Sequence, residues 1–233
     1  MRADICVAAC ADLFAGDGEL LASPMGLVPS LGARLARLTS APELLLSDGE
    51  AYLLDRDGGL EGWLPYRRVF DVVAHGRRHV VMGANQLDRY GNQNISCIGP
   101  HQRPTRQLLG VRGAPGNTVN HRTSYWVPRH SPRVFVPAVD AVCGVGHDRG
   151  FHHTYRVVTN LAVLDFEGPG RAMRLRSVHP GVTVAEVRQH TGFDLAADDL
   201  ADDDVAVTRV PTDAERALLA QLDPDGRRHR ELP

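Results

Sequence analysis

The first half of this 233-residue chain alternates between segments with helical periodicity and short apolar runs. Three segments place apolar residues at helical spacing: residues 4–15, 30–38 and 66–74. Three strand-like runs stand between them: residues 19–22, 44–46 and 80–82. Because strands separated by helices usually pair in parallel, this order predicts an α/β fold. We expect an open, mostly parallel sheet with helices on both faces, in which the leucine run at 44–46 is covered on both sides.

The second half of the chain carries more β-strand signals. Four further segments have the composition of strands: residues 105–109, 134–139, 156–166 and 171–178. The last of these alternates apolar and polar residues, so it is expected to pair beside the others and to add antiparallel members. Capping boxes at Thr183 and Thr212 predict two helices, the second ending at Leu222.

No repeat and no break in composition divides the chain, so one domain spanning residues 1–233 is predicted. Two segments are expected to lie outside its regular elements. Residues 198–204 are acidic and rich in alanine, which favours a surface loop. Residues 223–233 are polar and rich in arginine, which favours a loose tail.

The formal net charge is only −2, which gives no overall attraction to nucleic acid or to a membrane surface. All 26 basic residues are arginine, a bias typical of GC-rich bacterial genomes. The lack of lysine excludes Schiff-base catalysis by a side chain of this protein.

The cysteines do not form a CxxC pair; they are Cys6, Cys10, Cys97 and Cys143. The first two share a helical segment at a spacing that suits one buried face, so free thiols and a reducing cytoplasm are expected. The first residues lack the basic and apolar regions of a signal peptide. No run of about 18 apolar residues is present to span a membrane.

A dense polar segment at residues 83–94 follows the strand-like run at 80–82. It contains several amides, an acid and a phenol, of which Asn85, Gln86, Asp88 and Tyr90 are the candidate binding residues. So many polar groups at a strand end indicate a binding surface aimed from a rigid sheet. A long polar hairpin turning at its second glycine is the alternative interpretation.

A second glycine-rich segment spans residues 110–117. Glycines allow close approach of the backbone to a ligand, and exposed N–H groups can bind an oxyanion or a phosphate. Candidate contacts are Gly110, Arg112, Gly113 and Asn117. The segment matches neither the Walker A loop nor the GxGxxG fingerprint, and an ordinary turn is the alternative.

Two acids, Asp48 and Glu50, follow the leucine run at 44–46. Carboxylates at the end of a buried strand lie where open α/β sheets bind ligands, so either acid is a candidate general base or nucleophile. A solvated Asp-Gly turn is the alternative. The 11 histidines lack the spacing of metal ligands, so no metal site is predicted. No G-x-S-x-G elbow supports a serine hydrolase triad.

The order of residues 83–94 resembles a family signature. The segment reads Gly-Ala-Asn-Gln-Leu-Asp-Arg-Tyr-Gly-Asn-Gln-Asn, similar to the Gly-Ala-x-x-Asp-x-Tyr-Gly-Asn-x-Asn pattern of class I CoA-transferase beta subunits, with the glutaconate type closest. Residues 110–113 fall where that family has its glycine-rich oxyanion loop. Residues 183–193 and 211–224 resemble its C-terminal segments, so the likeness covers nearly the whole chain and implies the same fold.

The chain departs from that family at the position of the catalytic glutamate. Transferases carry Glu-Ser-Gly or Glu-Asn-Gly there, whereas this chain has Ser47-Asp48-Gly49-Glu50, with the aligned acid one methylene shorter. Covalent transfer through an acyl-CoA anhydride requires a carboxylate held very accurately. The departure resembles an actinobacterial branch of the family whose members open a steroid-derived carbocycle as its CoA thioester, with the working acid on the alpha subunit.

The resemblance therefore implies a beta subunit of a heteromeric, ring-opening acyl-CoA hydrolase. Its partner would be an alpha subunit in an α2β2 assembly, coenzyme A would enter as part of the substrate, and no cofactor would be bound. A true CoA-transferase beta subunit using Glu50 or Asp48 is the first alternative. A non-catalytic structural subunit, whose polar segment only binds a partner, is the second.

Overall fold

A ten-stranded mixed sheet forms the centre of the computed structural model, which describes residues 1–196 and 205–232. In chain order, the strands of this sheet are β1 (Leu21–Pro24), β2 (Leu45–Ser47), β3 (Tyr52–Leu54), β4 (Leu60–Trp63), β5 (Arg78–Gly83), β10 (Arg122–Val127), β11 (Thr154–Thr159), β12 (Ala162–Asp165), β13 (Arg174–Val178) and β14 (Ala206–Val207). Two short hairpins stand apart: β6 (Gln86–Leu87) with β7 (Gln93–Asn94), and β8 (Cys97–Ile98) with β9 (Arg106–Gln107).

The middle of the sheet is parallel and its flanks are antiparallel. Strands β2, β1, β5, β10 and β11 lie side by side in that order and all run in one direction. On one flank β3 and β4 form an antiparallel meander, and on the other β12 and β13 do the same before β14 joins in parallel. The predicted open, mostly parallel sheet is confirmed, as are antiparallel members from the second half.

Helices cover both faces because neighbouring residues of a strand point to opposite sides. The helices are α1 (Arg2–Asp12), α2 (Leu27–Leu38), α3 (Tyr66–His75), α4 (Ala114–Asn120), α5 (Val184–Gln189) and α6 (Asp213–Leu222). On one face Val81 and Val158 pack in a core with α1, α2 and Leu219 of α6. On the other, Met82 and Val157 pack with the start of α4.

Predicted elements from strong local patterns agree with the structure. The three helices of the first half are present, and the four cysteines are free and buried. The Thr183 hydroxyl accepts a hydrogen bond from the Glu186 N–H, and Thr212 and Glu215 form a full capping box. In the run at 44–46, Leu45 is 47 % exposed, so full coverage on both sides was wrong for that residue.

Three strand predictions were wrong in extent or partner. Residues 156–166 are two strands, β11 and β12, that turn at Asn160 and Leu161. Residues 134–139 form no strand, although Phe135 makes an isolated bridge to Leu87. Residues 105–109 contribute only the two-residue β9, which pairs with β8 outside the main sheet. The predicted loop at 198–204 lies outside the described residues.

The prediction of a loose C-terminal tail is corrected by its contacts. Arg228 donates hydrogen bonds to Asp4 of α1 and to Asp223. The Glu231 carboxylate accepts from the Val28 N–H at 2.9 Å and from the Trp126 indole at 2.7 Å. These charge-assisted bonds hold the described part of the tail against the face that carries α1 and α2.

Among the described residues, none of the helices has the length and apolar character needed to cross a bilayer.

Candidate functional site

The predicted site residues gather at the carboxyl end of the parallel strands. β2 ends at Ser47 and passes directly into the turn at residues 48–50. β5 ends at Gly83 and passes into the polar segment at residues 83–94. Residues 110–113 of the glycine-rich segment form a loop, and residues 114–117 are the first part of α4. This helix returns to the start of β10 and so begins at the same end of the sheet. Ligands in open α/β sheets bind at this end, so the topology brings together all three predicted regions.

Asp48 caps its own turn. One of its carboxylate oxygens accepts the backbone N–H groups of Glu50, Ala51 and Tyr52 at 2.8, 2.9 and 3.0 Å. Gly49 has φ +89°, and a Cβ at that position would lie 2.4 Å from the Pro24 carbonyl oxygen. The turn therefore requires glycine, and the Asp48 carboxylate serves as a local acceptor for the backbone.

Glu50 and Arg112 connect the acidic turn to the glycine-rich loop. A guanidinium nitrogen of Arg112 lies 2.9 Å from a Glu50 carboxylate oxygen. The two side chains are 54 % and 66 % exposed, so solvent screens the pair. This pair of charges forms an open edge of the site that a ligand or a second chain can reach.

The glycine-rich loop offers backbone donors. Gly110 has φ +88° and Arg112 has φ +47°, an uncommon conformation for a residue with a side chain. Within the described residues, the N–H groups of Gly110, Val111 and Arg112 have no hydrogen-bond acceptor. Free backbone N–H groups in a tight loop are suited to an oxyanion, which is the predicted role of this loop.

Asn117, another predicted contact, points into the protein. It is 1 % exposed, and its side-chain oxygen accepts a hydrogen bond from the Arg78 guanidinium at 3.1 Å. Its amide nitrogen faces the Met82 sulfur at 3.4 Å. Asn117 is thus placed below the site surface.

Gln86 is similarly committed to internal hydrogen bonds. Its amide nitrogen donates to the Asp140 carboxylate at 2.9 Å. Its oxygen accepts from the Asp140 backbone N–H and from the Asn94 amide. With 6 % of its surface exposed, Gln86 fastens the polar segment to the loop that contains Asp140.

Asp88 and Asn92 form the centre of the polar segment. The Asp88 carboxylate accepts the backbone N–H groups of Tyr90 and Asn92 and the side-chain amide of Asn92. Burial raises the pKa of Asp88 despite these bonds. Asn92 also donates to Asp148 and accepts from the Gly146 N–H and the Arg149 side chain.

The sequence did not single out Asn92 as a candidate, because its partners other than Asp88 lie more than fifty residues away. Its only local signal was the Gly-Asn pair at the turn, which is also common in ordinary hairpins. Tyr90 is half-buried, and Asn85 is exposed beside Gly83 at the strand end. Of the four polar candidates in this segment, these two keep surface available to a ligand.

A buried Ser–His–Asp array lies on the α1 face of the sheet. The His79 ring bonds to an Asp17 carboxylate oxygen at 2.6 Å through Nδ1 and to the Ser124 hydroxyl at 2.9 Å through Nε2. The His79 and Asp17 side chains are 0 % and 1 % exposed, and Ser124 is 0 % exposed. Burial lowers the pKa of His79. Because a substrate has no access to this hydroxyl, the array has a structural role.

The open site therefore combines backbone donors, the Glu50–Arg112 pair and the exposed Asn85. In the described part of the chain, no three His, Cys, Asp or Glu residues are arranged to hold a metal ion. The arrangement can stabilise negative charge on a substrate oxygen, while both acids of the turn already have partners.

Comparison with known proteins identifies the family. The sequence profile described as Coenzyme A transferase matches residues 70–190. The chain belongs to this family, which confirms the resemblance found in residues 83–94.

Two similar proteins share a more specific description. The cholesterol ring-cleaving hydrolase IpdB subunit of Rhodococcus jostii is 55 % identical over 99 % of this chain and 96 % of its own length. The protein of the same description from Mycobacterium tuberculosis is 54 % identical over 99 % of this chain and 98 % of its own length. The crystal structure of Rhodococcus jostii IpdAB superposes with a TM-score of 0.93 at 54 % identity, covering 100 % of this chain and 98 % of the matched chain.

Proposed function

We propose that this chain is the beta subunit of a two-subunit hydrolase that opens a carbocyclic ring in a steroid-derived cyclic keto-acyl-CoA. The alpha subunit would join it in an α2β2 assembly in the cytoplasm. Coenzyme A would enter as part of the substrate, without a further bound cofactor. Full-length identity of 55 % to a cholesterol ring-cleaving hydrolase subunit supports this assignment over other members of the family.

The observation that carries the proposal is the condition of the two acids at the strand end. The Asp48 carboxylate is engaged with three backbone N–H groups, and Glu50 pairs with Arg112. A transferase needs a carboxylate free to attack a thioester. Neither acid is free in this way, which favours a reaction whose base is supplied by the alpha subunit.

In the proposed reaction, water adds to the ring ketone, and a base of the alpha subunit accepts its proton. The ring C–C bond next to the former ketone then breaks, and its electron pair passes to the carbon beside the thioester. The resulting enolate takes a proton, which leaves an open chain with a new carboxylic acid and an intact CoA thioester. Gly110, Val111 and Arg112 would donate backbone N–H groups to the enolate oxygen.

The side chain of Arg112 has a second proposed role. Its exposed guanidinium can release the Glu50 carboxylate and bind a substrate carboxylate or a CoA phosphate instead. Arginine binds both groups through paired N–H donors. Asn85 and Tyr90 would form the polar wall beside it.

A CoA-transferase is the second candidate function. The family match and the exposed position of Glu50 favour it, since Glu50 needs only to leave Arg112 to become available. The reaction would then move CoA between two carboxylic acids and would require an acceptor acid.

Isosteric variants in the reconstituted heteromer distinguish the two functions. Asp48→Asn keeps an oxygen for the backbone N–H groups, and Glu50→Gln keeps the side-chain length, but both remove a carboxylate. We expect ring hydrolysis without an acceptor acid to fall less than about three-fold in either variant, because the base lies on the partner. Glu43→Gln, at an exposed position before the start of β2, is the matched control because it lies at the other end of the strand.

Three results would reject the proposal. A loss of turnover in Glu50→Gln or Asp48→Asn, with assembly intact, would place the essential acid on this chain. CoA exchange between acids by the wild-type heteromer, without net C–C hydrolysis, would establish the transferase. Ring hydrolysis by the alpha subunit alone at the rate of the heteromer would leave this chain a structural role.

A further inference from the structure

Arg78 is a buried cation without an acidic partner. It is 7 % exposed at the start of β5. Its Nε donates to the Ser23 hydroxyl at 3.0 Å, and its Nη1 donates to the Asn117 side-chain oxygen at 3.1 Å. Both acceptors are neutral, and Arg78 forms no salt bridge within residues 1–196 and 205–232. Burial lowers the pKa of Arg78 to about 10, so the guanidinium remains charged at neutral pH.

The Arg78 side chain reaches toward the site end of the sheet. Ser23, its Nε partner, pairs with Val80 in the β1–β5 register, two residues nearer the carboxyl end than Arg78 itself. Asn117, its other partner, bonds through its N–H to the carbonyl of Gly113. The guanidinium therefore lies about one helical turn, or roughly 6 Å along the axis, from the glycine-rich loop.

A chain of buried hydrogen bonds extends from Arg78 to the acidic turn. The Ser23 hydroxyl contacts the Ser47 hydroxyl at 3.2 Å, and the Ser47 oxygen accepts the Gly49 N–H at 3.2 Å. Arg78 is thus the point at which the supports of the acidic turn and of the glycine-rich loop meet. These are the two segments that Glu50 and Arg112 join again at the surface.

A purely structural link at this position would not require an arginine, because burying its charge has an unfavourable free energy. Burying a charge without a counter-charge is unfavourable, and a neutral amide could bond to the same two oxygens at lower cost. Uncompensated positive charge below a loop of free N–H donors does, however, favour an anion bound by that loop. Arg78 is itself buried, so solvent screens its charge less than it screens the charge of an exposed side chain.

We infer that Arg78 is a positioning residue whose unneutralised charge, held below the glycine-rich loop by Ser23 and Asn117, stabilises the thioester enolate. This inference rests on the proposed function, in which negative charge develops on the thioester oxygen at Gly110, Val111 and Arg112. Arg78 acts through the loop and through Asn117, and it makes no contact with the substrate.

Asn117→Asp tests the role of the charge directly. The substitution retains an oxygen for Arg78 and places a carboxylate 3 Å or so from the guanidinium, which neutralises it. In the reconstituted heteromer we expect kcat for ring hydrolysis to fall by about ten-fold or more, with KM much less affected and an unchanged or higher melting temperature. A purely structural link predicts wild-type kcat, because the fold gains an ion pair.

Asn120→Asp is the matched control, since it adds the same charge to an exposed position of the same helix. We expect its kcat to remain within about two-fold of wild type. Arg78→Lys keeps the charge but loses the two-pronged donor, whereas Arg78→Gln loses the charge. The inference predicts that Arg78→Lys retains more kcat than Arg78→Gln at matched stability.

Wild-type kcat in Asn117→Asp, or equal losses in Arg78→Lys and Arg78→Gln, would overturn the inference. CoA exchange is measured in the same samples, because a transferase also builds negative charge on a thioester oxygen. If the wild-type heteromer only exchanges CoA, the proposed function fails, and the exchange rates of Asn117→Asp and Asn120→Asp still decide the role of Arg78.

Discussion

The polar segment at residues 83–94 and the rim formed by residues 48–50 and 110–113 stand at the same end of the sheet but use hydrogen bonds in opposite ways. In the polar segment, Gln86, Asp88 and Asn92 are buried and spend their side-chain groups on other parts of the chain. On the rim, the backbone N–H groups of residues 110–112 have no acceptor within the described residues, and the Glu50–Arg112 pair is exposed.

This difference shows that the residues that identify the family are not the same as the groups available for chemistry at the site. The residues that identify the chain most clearly are mainly those that brace the loops around the site. The groups that can act on a ligand are mostly backbone atoms, which no side-chain pattern reveals. A signature rich in polar residues can therefore mark the support of a site more than its reactive groups.

The largest expected effect is at Asn92, the centre of the buried network. Asn92→Ala removes the side-chain bonds to Asp88, Asp148, Gly146 and Arg149, and it takes a partner from the buried Asp88 carboxylate and from the buried Gly146 N–H. We expect the free energy of unfolding to fall by about 3–4 kcal/mol, measured by urea denaturation. Asn85→Ala, exposed in the same segment, should change it by less than about 0.5 kcal/mol. Similar values for the two variants would show that the buried residues of this segment do not stabilise the fold more than its exposed ones.

Low pH should destabilise the buried hydrogen-bond network of residues 83–94 through His147. The backbone N–H of His147 bonds to the Tyr90 carbonyl in this segment. Burial lowers the pKa of His147 from 6.5 to about 4. The unfolded chain then binds a proton that the folded chain does not, so stability is full above the unfolded pKa and falls as pH drops toward the folded pKa. This histidine should contribute about 2 kcal/mol of that loss between pH 7 and pH 5.

His147→Gln provides the comparison for this pH effect. Glutamine can still donate to the Thr154 carbonyl, which accepts from the His147 ring in the wild type. The difference in unfolding free energy between the two proteins should shrink by that amount as pH falls. Parallel pH profiles would show that His147 does not titrate in this window.

A smaller effect is expected on the rim, at Gly110. A Cβ at this position has free space, so Gly110→Ala suffers only from φ +88°. We expect a loss of about 1 kcal/mol in stability, with a larger loss of kcat as the N–H donors turn. Gly113→Ala, at φ −85°, is the matched control and should be close to neutral in stability. Equal kcat in the two variants would argue against an oxyanion loop.

The smallest effect is expected from the exposed ion pair. A double-mutant cycle with Glu50→Gln and Arg112→Gln should give a coupling energy below about 0.5 kcal/mol in unfolding, because both side chains are largely exposed. The same cycle on KM for the acyl-CoA substrate should show a larger effect from Arg112. A coupling energy above about 2 kcal/mol would show that the pair stabilises the fold, as the buried hydrogen bonds of residues 83–94 do.

Local patterns predicted much of the fold because their causes are local. Apolar spacing located α1, α2 and α3, and hydroxyl caps located the start of α5 and α6. The break within residues 156–166 also has a local cause. The Thr159 hydroxyl accepts the N–H groups of Leu161 and Ala162 and so turns the chain between two strands. A Thr-Asn pair inside a run of valine and leucine is a weak signal for that turn.

Other features depended on distant partners and were not visible in sequence. Residues 134–139 have a strand composition, but their backbone bonds go to Ser131, Leu87 and Gly192 and not to a strand of the main sheet. The side-chain bonds of Gln86 and Asn92 reach Asp140 and Asp148. Sequence placed the three site regions at one end of the sheet through topology. The sequence did not show which polar side chains would be buried in internal hydrogen bonds, because their partners lie about fifty residues away.

The docked C-terminal segment has a consequence for biosynthesis. Its bond from Arg228 to Asp4 joins residues 224 positions apart, and the bond from the Val28 N–H to Glu231 spans 203 positions. A nascent chain on the ribosome therefore cannot complete these polar contacts of α1 and α2 until residues 228–231 have emerged. Contacts between residues this distant in sequence form late in folding. The first two helices to be synthesised are therefore expected to be among the last to gain their full set of contacts.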